Sequence, residues 1–384
     1  MHRGPRSGNP VLTRRPRLGV SEGLWLRPGA VPRVSRPTGD CATDCGIINR
    51  MRRRDFLVTL PVLPPLRGAR TTVRDEGKVV TVLGPRAPSD LGTMLPHEHI
   101  MSTFGAEPAD RADYNTADLL RTVVPYLSSL KKHGCTAIAD CTAAQFGRAP
   151  DLLRSISRKT GMHILTNTGY YGAAKDRYVP PHAVEETADQ LAARWLGEWQ
   201  DGIDRTGVRP GFLKIGVDAG PLSSVDKKLV QAAARTHLGS GLVIAVHTGD
   251  NFEAAKEQIA LLSAEGVSPE AWIWVHAHAA RNEAILSCAE RGAWISFDGL
   301  GLSSLDRHLE LVRMMKRAGR LAQVLLSHDG ELFPVPGSKP RSFEALFTHF
   351  IPKLRQEGFT QREIQGLVAG NPQRAFAVRV RRLG

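Results

Sequence analysis

The chain has 384 residues, of which 42% are hydrophobic and 23% charged, a balance typical of a folded globular protein. It contains no run of 18 or more apolar residues, which excludes a mature membrane-spanning helix. The net charge of +13 would fit a nucleic-acid-binding protein, but residues 1–70 hold 14 arginines against four acidic residues. The remaining residues carry only +3, so the basicity belongs to the N-terminal segment, and we expect no nucleic-acid partner.

The N-terminal segment is rich in arginine, proline and glycine and shows no periodicity, so residues 1–70 are predicted to be a disordered basic leader. Within it, Met51 is followed by Arg53, Arg54 and Phe56 and then by a short apolar run. This pattern resembles a twin-arginine export signal, although prolines interrupt the run. Periplasmic export and a cytoplasmic location both stay open at this stage.

From about residue 79, short β-branched runs alternate with helical periodicity, which is typical of repeated βα units around a parallel sheet. After a leading strand at 78–83, strands are predicted at 92–99, 135–141, 162–168, 211–217, 242–247, 271–276, 293–298 and 324–329. Helices are predicted at 117–133, 183–206, 226–238, 252–265, 282–291, 305–318, 342–356 and 360–367. Eight such strands predict a (β/α)8 TIM barrel over residues 71–384. A doubly wound open sheet is the alternative, but no G-x-G-x-x-G turn follows the first strand.

The C-terminal ends of the strands form the active-site rim of such a barrel. At the first of these ends, His97 and His99 lie one strand step apart, so both imidazoles point to the same face, while Glu98 points to the opposite one. Later strand ends carry four more polar residues: Lys214, His247, His276 and Asp329. Each of these residues taken alone is more often a hydrogen-bonded loop residue, a solvated lysine or a helix cap. Together they favour a metal centre, with Zn²⁺ as the first choice and Mn²⁺, Co²⁺ or Fe²⁺ as alternatives.

Several short motifs resemble the phosphotriesterase family of the amidohydrolase superfamily over about residues 78–380. They are Pro96-His97-Glu98-His99, Asn167-Thr168-Gly169-Tyr170-Tyr171, Val246-His247-Thr248-Gly249, Ser327-His328-Asp329 and Gly370-Asn371-Pro372-Gln373-Arg374-Ala375-Phe376, together with Lys214 and His276. The resemblance implies a binuclear metal centre. In it, His97, His99 and Asp329 would hold the more buried ion, and His247 and His276 the more exposed one. A carbamylated Lys214 would bridge both ions, since a carbamate offers two anionic oxygens.

The resemblance also implies a catalytic mechanism, and this chain departs from the family pattern at two positions. A hydroxide bridging the two ions would be the nucleophile, and Asp329 would accept its proton. His278 occupies a position where many relatives place an aspartate that relays this proton, so His278 is a candidate relay, an extra ligand or a supporting group. Gly299 stands where lactonase relatives tend to carry an arginine. Tyr171 is expected to contact the substrate, and the loop at 330–340 is expected to form a pocket wall.

These observations predict a binuclear hydrolase that attacks an ester-type bond of a small molecule: a lactone, a carboxyl ester or a phosphotriester. An amide hydrolase with the same metal centre is one alternative. A non-catalytic ligand-binding barrel is the other. Relatives of this kind are often dimers, so a homodimer is a further expectation.

Overall fold

Parallel strands enclose a central core in the computed structural model, which describes residues 73–384. A short antiparallel hairpin precedes them, formed by β1 (Val79–Thr81) and β2 (Gly84–Arg86). The barrel strands follow as β3 (Thr93–Glu98), β4 (Cys135–Asp140), β5 (His163–Leu165), β6 (Asn167–Thr168), β7 (Phe212–Gly216), β8 (Ile244–His247), β9 (Trp272–Val275), β10 (Trp294–Phe297) and β11 (Val324–Leu326). Seven pairs of neighbouring barrel strands are hydrogen-bonded in parallel. The predicted (β/α)8 TIM barrel is therefore confirmed.

Two places in the barrel wall are irregular. Thr166 divides the third barrel strand into two segments, β5 and β6. The first segment pairs with β4 and the second with β7. At the seam between the last and first strands, the Asp329 backbone N–H donates to the carbonyl of His97, and the His97 N–H donates to Ser327 Oγ. The seam therefore brings the residues after β11 directly beside the histidines of β3.

The helices surround the barrel and alternate with the strands. They are α1 (Thr116–Lys132), α2 (Pro150–Thr160), α3 (Pro181–Glu185), α4 (Ala188–Asp201), α5 (Ser224–Ser240), α6 (Phe252–Ala264), α7 (Asn282–Glu290), α8 (Leu305–Arg317), α9 (Ile351–Gln356), α10 (Gln361–Gln365) and α11 (Asn371–Phe376). Single π-helical turns at Leu346–Phe350 and Gly366–Gly370 precede α9 and α11. Side-chain hydrogen bonds cap the N-termini of several helices. At α5, Ser223 accepts a hydrogen bond from the Asp226 N–H, and at α4, Thr187 accepts one from the Gln190 N–H.

Two parts of the helix prediction were wrong. The sequence analysis did not place α2, although proline at its first position and the left-handed Gly161 at its end are ordinary boundary signals. The single helix predicted at 183–206 is divided, because Glu186 is extended and Thr187 starts a new capping box. The predicted leader and its export signal lie outside the described residues. Within residues 73–384, no helix is both long and apolar enough to cross a bilayer.

Alternation along each strand decides which residues face the barrel interior. Along β7, Phe212 belongs to the apolar cluster inside the barrel, whereas Leu213 and Ile215 pack outward against the helices. Lys214 therefore points inward, in the layer above Phe212. Complete burial of Phe212 contributes about 2–3 kcal/mol to stability. The core thus fills the lower part of the barrel and leaves polar side chains at the C-terminal rim.

Candidate metal centre

The first group of polar side chains at the rim is formed by His97, His99 and Asp329. His97 Nε2 lies 3.2 Å and His99 Nε2 3.3 Å from the same carboxylate oxygen of Asp329. One ligand atom from each residue lies within 4.8 Å of the others, which is close enough to coordinate one ion. The residues that the sequence analysis assigned to the buried ion are therefore neighbours in space.

A hydrogen-bond chain orients His99 toward Asp329. The Thr142 hydroxyl donates to the carbonyl of Met101 at 2.7 Å, so its oxygen accepts from His99 Nδ1 at 2.8 Å. With the proton on Nδ1, the lone pair of Nε2 points toward Asp329 and is free for an ion. This is the tautomer that a metal-ligating histidine requires.

His276 is oriented in the same way by Asp298, which follows β10. The His276 Nδ1–H donates to Asp298 Oδ1 at 2.8 Å, and Asp298 Oδ2 accepts from the His276 backbone and from Ser296 Oγ. Burial alone would raise the pKa of Asp298, but His276 outweighs it and holds this pKa well below its usual range. The sequence analysis did not assign a role to Asp298, although its position at a strand end was a signal for one.

The second group of side chains consists of His247, His276 and Lys214. The His247 and His276 rings lie 4.6 Å apart, and the His276 ring is 5.2 Å from His97. Burial lowers the pKa of His97 to about 4 and that of His247 well below its ordinary value. Both imidazoles are therefore neutral near pH 7, the form that binds a metal ion.

Lys214 lies in the pocket wall without a partner for its amine. Its side chain is 1% exposed, and Nζ lies 5.6 Å from the centre of the Tyr171 ring. Among residues 73–384, the amine makes no hydrogen bond or ion pair. Burial lowers its pKa, which increases the neutral fraction of the amine. A buried lysine in this state needs either a ligand or a covalent change to satisfy its polar end.

Glu98 fixes the turn that carries Asp329. Its buried carboxylate accepts hydrogen bonds from Ser327 Oγ, from both the backbone N–H and Nδ1 of His328, and from the Gly330 N–H, at distances of 2.7–2.9 Å. Asp329, between two of these donors, has a φ of +52°, which a non-glycine residue rarely adopts. The prediction that Glu98 faces away from the pocket as a structural partner is confirmed.

The rim encloses a pocket of about 190 Å³. All six predicted ligand residues line it, together with Tyr171, whose ring lies 5.2 Å from that of His247. Phe104 and Phe146 complete its aromatic side. Of the predicted loop wall at 330–340, only Glu331 lines the pocket, because Phe333 packs against Tyr114 instead. Arg341, directly after this loop, also lines the pocket.

His278 lies behind the metal-centre residues rather than in the pocket lining. Its Nδ1 is 3.2 Å from Asp298 Oδ1, and its ring stacks on His308 with centroids 5.5 Å apart. The imidazole fills the space above Gly299, where any side chain would collide with it. A relay through His278 would therefore pass through Asp298, and this role stays a prediction.

The donor set fits divalent metal ions. The imidazoles of His99 and His276 each present Nε2, and Asp329 supplies a carboxylate between two histidines. These are the ligands that Zn²⁺ and similar ions prefer, and the hydrogen bonds to Thr142 and Asp298 are the supports that such ligands use. The buried amine of Lys214 is the one member that cannot ligate in its unmodified charged form.

Comparison with known proteins agrees with this geometry. The sequence profile of the phosphotriesterase family matches residues 77–376. The chain belongs to the phosphotriesterase family. As a member of this family it is a hydrolase with metal-binding histidine and aspartate groups.

Individual relatives match over most of the chain. The phosphotriesterase homology protein of Escherichia coli strain K12 is 28% identical over 294 residues, which cover 74% of this chain and 98% of that protein. The N-acetyltaurine hydrolase of Rattus norvegicus is 24% identical, with coverage of 78% and 97%. The structure of an organophosphorus hydrolase from Deinococcus radiodurans superposes with a TM-score of 0.72 at 24% identity, covering 79% of this chain and 98% of that one. This last similarity supports the barrel fold.

Proposed function

We propose that this phosphotriesterase-family member is a binuclear metal-dependent hydrolase of a small-molecule ester, either a lactone, a carboxyl ester or a phosphotriester. The observation that supports it most strongly is the convergence of His97, His99, His247, His276, Lys214 and Asp329 on one pocket. A binding barrel without catalysis would not require two histidines held in the ligand tautomer or a buried lysine beside them.

Lys214 is proposed to act as its carbamate. The neutral amine adds to CO₂, its nitrogen forms the new C–N bond, and one proton leaves to water. The product is a two-oxygen anion where the free amine has no hydrogen-bond partner. Its carboxylate group would help to hold the metal ions together with the His97 and His247 groups.

The ions, when bound, would polarise the substrate's carbonyl or phosphoryl oxygen and acidify a water molecule held between them. Asp329 is proposed to accept the proton of that water. Burial alone would raise the pKa of Asp329, but the adjacent imidazoles of His97 and His99 hold it well below its usual range, so the carboxylate is ionised at neutral pH. Burial raises the pKa of Tyr171, so its hydroxyl stays protonated and can donate a hydrogen bond to the substrate.

An amide substrate is the second candidate, since a relative is named an N-acetyltaurine hydrolase and therefore acts on an amide. The same pocket could serve a lactone or carboxyl ester and an amide, because each of these presents a carbonyl group to the nucleophile. The two candidates differ only in the leaving group, so a panel of substrates separates them.

The test is metal analysis combined with a substrate panel. Protein produced with zinc and bicarbonate should contain about two ions per chain and should hydrolyse at least one of a lactone, an aryl ester, a phosphotriester and an N-acyl amine. Asp329→Asn should lower turnover at least about 100-fold. The matched control is Asp306→Asn on α8, a 90% exposed side chain paired with Lys353, which should leave turnover unchanged. Trace metal alone, or loaded protein without activity on the panel, would contradict the proposal.

A further inference from the structure

The mouth of the pocket carries an arginine that the proposed metal chemistry does not use. Arg341 lines the pocket beside Glu331, and its side chain is 57% exposed, against 13% for Glu331. The two residues form the base of the loop after β11, where each backbone N–H donates to the other's carbonyl, at 2.9 and 2.7 Å. The backbone that carries Arg341 is therefore fixed.

The guanidinium of Arg341 is also fixed. Its Nε and Nη2 donate to the carbonyl oxygen of Asp329 at 3.2 and 2.9 Å. Its Nη1 lies 3.8 Å from a carboxylate oxygen of Glu331, which is too long for a hydrogen bond. One edge of the guanidinium thus donates to the backbone of a proposed metal ligand, and Nη1 makes no hydrogen bond within residues 73–384.

The donors on the Nη1 edge, rather than the net charge of the pocket lining, favour an anion. The charged side chains of the pocket lining are Lys214, Asp329, Glu331 and Arg341. Of these, Lys214 and Asp329 belong to the proposed metal centre, which leaves Arg341 and Glu331 to face the rest of a substrate. Arg341 is more exposed than Glu331 and has donors that can bind a substrate. An anionic substrate group can accept hydrogen bonds from these donors, whereas a neutral substrate would leave them to water.

We propose that Arg341 binds a carboxylate on the substrate, so that the natural substrate is an anionic ester or amide rather than a neutral one. The inference rests on the proposed hydrolase function and names its substrate class. The free Nη1 edge donates to the carboxylate while the scissile carbonyl lies at the rim near Asp329. Because Asp329 and Arg341 are joined by hydrogen bonds, the distance between the reacting bond and the anion is set by the fold. The negative charge of Glu331 repels the anion and lowers its affinity for the pocket.

The experiment compares matched substrates that differ only in charge. The metal-loaded full chain is assayed with 3- and 4-acetoxybenzoate and with the corresponding acetoxybenzamides, which place a carboxylate or a neutral carboxamide at the same distance from the scissile ester. The expected result is a lower KM for one of the benzoates than for its benzamide. Arg341→Gln should reduce the benzoate-to-benzamide ratio of kcat/KM about tenfold, the effect of one partly exposed charged hydrogen bond. Inhibition by 4-hydroxybenzoate should weaken by a similar factor, while inhibition by 4-hydroxybenzamide should not change.

Two further variants keep the test decisive. Glu331→Gln removes the opposing carboxylate and should shift the same ratio toward the benzoate. Arg341→Lys keeps the charge but loses the planar pair of donors to Asp329, so the ratio should fall less than in Arg341→Gln. Arg121→Gln on α1, a 75% exposed arginine paired with Asp118, is the control and should leave the ratio unchanged.

The outcomes separate this inference from the proposed function. If no substrate of the panel is hydrolysed, the proposed function is contradicted. If only the acetoxybenzoates and acetoxybenzamides fail, equal inhibition of the active substrate by 4-hydroxybenzoate in wild type and Arg341→Gln overturns the inference. If both are hydrolysed and Arg341→Gln lowers both rates equally, Arg341 only supports the Asp329 backbone and the inference is wrong. Should Arg341→Gln fail to fold, an unchanged ratio in Glu331→Gln and Arg341→Lys would overturn it.

Discussion

The carboxylate of Glu98 connects the first strand of the barrel to the turn after the last one, and Glu98→Gln tests this connection. Its Oε1 accepts three hydrogen bonds, one from Ser327 and two from His328, while Oε2 accepts one from the Gly330 N–H. A glutamine can keep its carbonyl oxygen toward the first three donors. Its amide then faces the Gly330 N–H, so one charged hydrogen bond is lost and two donors oppose each other.

The magnitude follows from this arrangement. Loss of a buried hydrogen bond to a carboxylate, with a donor left unsatisfied, should lower the free energy of unfolding by about 2–4 kcal/mol. The turn with its positive φ at Asp329 should then relax, since the neighbouring Gly330 is no longer held. Metal affinity should fall about 10- to 100-fold, as it does when a supporting partner of a ligand is removed.

The assay is urea unfolding of metal-free protein, together with metal affinity measured by chelator competition. Glu310→Gln, a 68% exposed glutamate on α8, is the control and should change stability by less than about 0.5 kcal/mol. Ser327→Ala removes one of the donors to Glu98 and also the acceptor of the His97 N–H, so it should give a comparable loss of about 2–3 kcal/mol. Unchanged stability and unchanged metal affinity in Glu98→Gln would refute the argument that Glu98 positions Asp329.

Three other predictions concern Lys214, Asp298 and the buried His237 of α5. Lys214→Ala should abolish hydrolysis, with partial recovery in added propionate, whose carboxylate can replace the proposed carbamate; wild-type rates in the variant would argue against that bridge. Asp298→Asn should weaken metal binding about 10- to 100-fold through His276, as measured by chelator competition, and equal affinity would show that Asp298 does not support this ligand. Burial lowers the pKa of His237 on α5 to about 4. As the pH drops from 6.5 toward 4, this histidine is protonated in the unfolded state but still neutral in the folded state, so the free energy of unfolding falls. Between pH 7 and pH 5 this histidine should account for about 2 kcal/mol of lost stability, and metal-free His237→Gln should show a correspondingly flatter urea-unfolding profile; an unaltered profile would contradict this.

The barrel and the set of residues at its rim could be predicted from the sequence because both depend on local patterns. Alternation along a strand determines that His97 and His99 share a face and that Lys214 points inward between Leu213 and Ile215. The position of active sites at strand C-termini then brings His247, at the end of β8, to the same rim. These inferences need no knowledge of which distant residues touch.

Contacts across the barrel seam and between loops were decided only by the tertiary structure. Glu98 and the donors on Ser327, His328 and Gly330 are 229 to 232 positions apart in the chain, and no local period relates them. The same reason explains why Asp298 was not assigned to His276, 22 positions away.

The surroundings of the rim residues were likewise not predictable. His278 was a candidate relay, extra ligand or supporting group, and only the structure places it beside Asp298, in the space that the missing side chain of Gly299 leaves. Arg341 was not singled out, because only the pairing of the loop base with Glu331 brings its guanidinium to the pocket. The sequence by itself determined which residues could hold metal ions. The closed barrel determined which charges orient those residues and which remain free to meet a substrate, because these contacts join segments that are distant in the chain.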